Sequence, residues 1–174
     1  MHNLPLIHID LSRVMDLNKQ IKWKPLIIAI AVPLAVGGAA AFLSMDGFIL
    51  FGALYKPLFT PPKWVFPVAW TALYILMGIA SYLVYTDSAS APRRGRALKV
   101  YAVQLAANFL WPILFFAWGL YWAAFLWIIV LWLLILLNLT LFKYISVPAG
   151  NLLLPYLLWT AFAAYLNLGV ALLN

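Results

Sequence analysis

Tyr55-Lys-Pro-Leu-Phe-Thr-Pro-Pro-Lys63-Trp64-Val-Phe-Pro-Val-Ala-Trp70-Thr-Ala-Leu-Tyr74 begins as a proline-stiffened polar loop and runs directly into an apolar helix. Pro57, Pro61 and Pro62 fix φ and push the residues before them toward extended backbone, which predicts a lid of restricted shape. Pro67 falls in the first helical turn, where a missing N–H costs little. Lys63 and Trp64 stand at the junction, the residue types favoured where a helix meets the membrane–water interface.

Working outward, the chain has 174 residues, 67% hydrophobic and 9% charged, against roughly 25% charged in soluble domains. Most of it therefore belongs in lipid. Cysteine is absent, which excludes disulfides, thiolate metal sites and cysteine nucleophiles. Glutamate is absent too, and the four acids (Asp10, Asp16, Asp46, Asp87) lie outside the apolar runs. The net charge of +7 comes from basic residues beside those runs, so topology explains it and no nucleic-acid partner is expected.

Residues 1–22 read as a cytoplasmic tail, without the charge order or cleavage site of a secretory signal. Five apolar segments follow at about 24–43, 64–85, 97–117, 121–143 and 148–172, each near the ~20 residues needed to cross hydrocarbon. The fold class expected is an all-α membrane protein, a five-helix transmembrane bundle over residues 23–174 with a lid loop at 44–63. The first span carries the small-residue run Val36-Gly-Gly-Ala-Ala-Ala41, suited to close packing, and the third carries Ala102-xxx-Ala106, a candidate dimer seam. The fourth is apolar on every side until Asn138, so it is expected to face most lipid.

Charge predicts the orientation. Arg13, Lys19, Lys22, Lys24, Arg93, Arg94, Arg96, Lys99 and Lys143 fall on one side, and only Lys56 and Lys63 on the other. The positive-inside rule then puts the N-terminus in the cytoplasm and the lid outside. A bacterial inner membrane is the expected location.

The apolar runs hold no acid, base or histidine apart from end-flanking lysines, which removes the parts of a proton relay or protease. His2 and His8 both lie in the tail and make no metal site, and no catalytic side chain is assigned. What remains is aromatic rings and amides. Trp70 lies about 9 Å into the second span at 1.5 Å per residue, and Trp111 is at a similar depth in the third. Asn108 and Gln104 follow on one face at one-turn intervals. Trp159 lies near the middle of the fifth span, with Ala163 one turn above it. Large rings with a few polar points are the usual lining of a small-molecule pocket. Trp64, Trp118 and Trp122, at span ends, read as interfacial anchors. Trp70 and Trp159 are too deep for that, and the residues alone leave packing and ligand contact both open. Gln104 and Asn108 equally suit hydrogen bonds between helices.

Three blocks, KPLFTPPKWVFPVAWTALYILMG (56–78), QLAANFLWPILFF (104–116) and LLLPYLLWTAFAAYLN (152–167), together resemble the TspO/MBR family of translocator proteins. The resemblance implies a five-helix bundle, usually a homodimer, with a pocket beneath the lid. It implies protoporphyrin IX or another haem-like tetrapyrrole as ligand, with no required cofactor. By that likeness Trp70 and Trp159 match the pocket tryptophans, Asn108 the pocket amide and Ala163 a small wall residue. Trp111, Gln104, Phe51 and Pro61 complete the candidate set. Phe59 stands where many members have Trp, and Leu50-Phe51 where many have Trp-Tyr. No basic residue follows Tyr165, so a proposed cholesterol pattern is incomplete. The expected function is a membrane receptor or transporter for porphyrins and other flat apolar ligands. The alternatives are tryptophan-dependent, light-driven porphyrin degradation and a stress-linked regulator acting through a partner protein.

Overall fold

The computed structural model describes residues 21–174; residues 1–20 of the predicted tail, with His2, His8, Arg13 and Lys19, lie outside them. The elements are α1 (Trp23–Leu43), α2 (Met45–Leu50), a 3₁₀ turn (Phe51–Ala53), α3 (Val65–Thr86), α4 (Ala91–Pro112) running into a π turn (Ile113–Ala117), α5 (Tyr121–Ile145), α6 (Val147–Asn151) and α7 (Leu154–Leu173). Five helical stretches are long and apolar enough to cross a bilayer: α1, α3, α4 with its π turn, α5, and α6 with α7. Helix is what such sequence must form, because hydrocarbon offers no partner to a free N–H or C=O.

α1 packs on α3 and α4, α4 on α5, and α5 on α6 and α7. The fully buried layer includes Met77 of α3, Ile128, Leu131, Ile135 and Phe142 of α5, and Tyr156 and Val170 of α7. Two glycines set the α1–α3 spacing. Gly37 lies directly beneath the Tyr74 ring, and a Cβ on Gly78 would meet the Ala29 carbonyl oxygen at 2.7 Å. Either side chain would force the helices apart.

The observed boundaries correct four expectations. Residues 44–63 are not loop throughout, since Met45–Ala53 is helical. That stretch has no proline, and Asp46 stands in its first turn, where a carboxylate suits the helix dipole. The third span starts at Ala91 instead of 97, since the Ser90 carbonyl accepts the Arg93 and Arg94 N–H groups at 3.0 and 3.2 Å. The Arg94 guanidinium also donates to the Asp87 carbonyl at 2.7 Å, tightening the turn to four residues. The fifth span breaks at Leu152–Leu153, where Pro155 has no N–H to continue the ladder. Finally, α5 is not the span least buried within the bundle. Seven of its residues are buried, against three in α1. An all-apolar sequence does not say which face meets protein.

Candidate functional site

A cavity of about 370 Å³ lies near the lid end between α1, α2, α3 and α4. From α3 come Phe66, Trp70 and Tyr74, four residues apart and hence on one helix face. From α4 come Asn108 and Trp111, and from its π turn Phe116; Gly37 and Ala40 of α1, Ser44 at its end and Phe48 of α2 close the other side. The Trp70 ring sits 5.8 Å from Tyr74, 6.1 Å from Trp111 and 6.2 Å, edge-on, from Tyr156. These are ordinary separations for favourable aromatic pairs.

Asn108 is the cavity's fixed polar point. The Tyr74 hydroxyl donates to its Oδ1 at 2.7 Å, and its Nδ2 donates to the Tyr156 hydroxyl at 2.7 Å. Gln104 Nε2 donates to the same hydroxyl at 2.7 Å. The amide is thereby held in one orientation, with one N–H and one lone pair not engaged by these bonds. Trp111 is fixed likewise: its Nε1 donates to Asn167 Oδ1 at 3.1 Å, and Asn167 Nδ2 donates to the Tyr121 carbonyl at 2.8 Å. Beyond Pro112 the chain widens into the π turn, with Trp118 N–H bonded to the Ile113 carbonyl at 3.0 Å. That turn sets Phe115 in the core and Phe116 on the cavity wall.

Of the residues singled out from sequence, Trp70, Asn108 and Trp111 meet at this cavity. Trp159 does not border it. Its ring lies edge-on against Phe66 at 6.3 Å, and Phe66 forms the wall. Ala163 is buried one turn further along α7, and Gln104 is buried behind Tyr156. Phe51 borders a separate hollow of about 240 Å³ against the α4–α5 turn, packed on Phe115 and Phe116 at 6.0 and 5.6 Å. Pro61 stays in the lid, at neither space. A residue's distance along its helix does not fix the direction its side chain takes around that helix. Sequence reasoning missed Phe66, Tyr74 and Tyr156. The four-residue spacing of Phe66, Trp70 and Tyr74 was the available signal.

The sequence pattern of the TspO/MBR family matches residues 29–173, all five spans included. The chain belongs to that family. It is accordingly a multi-pass integral membrane protein. Among TspO/MBR relatives, "Tryptophan-rich protein TspO" of Archaeoglobus fulgidus is 38% identical over 150 residues, 86% of this chain and 96% of the relative. The protein of the same name from Chlorobaculum tepidum is 36% identical over 164 residues, 91% of this chain and 99% of the relative. "Translocator protein" of Ovis aries is 34% identical over 148 residues, covering 83% and 87%.

Proposed function

We propose that this TspO/MBR protein is a membrane receptor or transporter that binds flat apolar molecules, porphyrin-like tetrapyrroles among them, in the cavity beside Trp70. One observation carries the reading: Trp70, Tyr74 and Trp111 surround a single pre-oriented amide, Asn108, with no charged side chain on the wall. Ring faces supply affinity that tolerates many flat partners, and the amide orients one polar edge. Small-molecule sites occupy roughly 300–1,000 Å³, so this one is at the lower end. A tetrapyrrole would sit edge-in, with part of its ring at the open mouth.

The test is a dark titration with protoporphyrin IX, followed by the ligand's own absorbance. Trp70→Leu removes the π-face and keeps an apolar side chain; it should weaken binding by at least about three- to tenfold, the worth of an aromatic pair beyond its area, with the lost contact area adding to that. Trp159→Phe, which keeps a ring against Phe66, should bind as the parent does. The opposite pattern would move the site to the α7 side, and unchanged affinity in both variants would reduce Trp70 to packing.

A further inference from the structure

The cavity has an open wall, and that wall lies on the outside of the bundle between two helices long and apolar enough to cross a bilayer. α1 and α3 run antiparallel and touch closely away from the lid, at Gly78 on Ile30 and at Gly37 under Tyr74. Continue along the same stripes toward the lid. On α1 the next residue is Ala41, four beyond Gly37; on α3 it is Pro67, seven before Tyr74. A closed seam would bury both. Instead Ala41 and Pro67 are exposed, as are Met45 and Phe42 beside them, and all four also line the cavity. The helices therefore part over the last turns, and the gap leads inward. Its rim is wholly apolar, and Ala41, Phe42 and Pro67 stand on helices long and apolar enough to cross a bilayer.

The roof is closed by contrast. Phe48 caps the cavity, with its ring 5.3 Å from Phe116, 6.3 Å from Phe66 and 6.4 Å from Phe51. The rest of the lid is strapped to the end of α7. Tyr55 N–H donates to Asn174 Oδ1 at 3.1 Å, and Asn174 Nδ2 returns a bond to the Tyr55 carbonyl at 3.0 Å. The Tyr165 hydroxyl donates to the Leu58 carbonyl at 2.9 Å, and the Pro57 ring lies on Gly169.

We propose that the α1–α3 seam is a lateral portal, through which apolar molecules dissolved in the leaflet at the lid end pass between Ala41 and Pro67 into the cavity. This rests on reading that cavity as the ligand site. The route accepts solutes already partitioned into hydrocarbon, and it needs no opening of the lid. Uptake should then follow the amount of solute in the bilayer, not its aqueous concentration.

The experiment uses the full chain in phosphatidylcholine nanodiscs and a small phenyl diazirine partitioned into the lipid. After brief illumination, labelled peptides are mapped by mass spectrometry. Adducts are expected on the peptides carrying Tyr74 and Asn108. Ala41→Trp, which fills the mouth from an exposed position, should lower that labelling at least fivefold, and Phe42→Ala should raise it. The double change Tyr165→Phe with Asn174→Ala unstraps the lid and should leave it unchanged. Full labelling in Ala41→Trp, a severalfold rise on unstrapping, or an unlabelled cavity in the parent protein would each overturn the portal. The diazirine is not a tetrapyrrole, so the two readings fail separately. A labelled cavity that binds no porphyrin sinks the proposed ligand class, whereas porphyrin binding without labelling sinks the route.

Discussion

Phe59 has φ of 63°, the left-handed region, and its side chain is 84% exposed. An L-residue there costs about 1–2 kcal/mol, and an exposed ring returns little packing against it. Phe59→Gly should therefore raise stability by about 1 kcal/mol, read as a higher unfolding temperature in detergent, and leave cavity affinity alone. A fall in stability would mean that the ring holds the lid through contacts with the bilayer surface. Phe51 shows how much of a residue's role is visible before folding. Its loss of a hydroxyl, relative to many family members, was legible. Its burial among Phe48, Phe66, Phe115 and Phe116, with the Lys56 ammonium 5.3 Å from the ring, was not. Phe48 and Lys56 are neighbours in sequence, but Phe66, Phe115 and Phe116 come from two distant segments, and no local pattern announces them.

Among the elements, α5 was the least readable. The Tyr101 ring lies 5.9 Å from Phe142, which fixes the register of the antiparallel pair α4 and α5. One turn toward the lid, that register sets Asn138 level with Gln104. Both are fully buried, and neither Asn138 amide atom nor Gln104 Oε1 has a hydrogen-bond partner among the described residues. A buried unpaired polar group costs about 1–3 kcal/mol, so Asn138→Leu should stabilise the bundle by about 1 kcal/mol or more in reversible unfolding. A loss of stability would show that the amide is bonded in the membrane. Span positions were legible because lipid imposes length and apolarity on every crossing helix. The ends of α4, α6 and α7 were not, since they depend on which carbonyls Ser90, Asp87 and Pro155 leave satisfied.

At the scale of the whole molecule, the five-span bundle and its family were written in the three motif blocks. The cavity was half written: Trp70, Asn108 and Trp111 meet there, while Trp159 stands behind Phe66 and Ala163 is buried without bordering it. Which helices adjoin is a tertiary property, and equal depth on two helices does not make their side chains converge. The α1–α3 contact offers a test at this scale. Gly78→Leu must push Ile30 and Ala29 away, and overpacking of this kind costs about 1–3 kcal/mol. A variant as stable as the parent would mean that α1 shifts freely. The same contact gives the two helices a mechanical character. Pinned at Gly78 and again at Gly37 beneath the Tyr74 ring, and splayed at Ala41, they form a pair of tongs whose last pin is Gly37. At 1.5 Å per residue the free arm from Gly37 to Ala41 is about 6 Å long, so a tilt of about 5° there moves the rim by about 0.5 Å. A change at that pin would thus retune the width of the mouth in small steps.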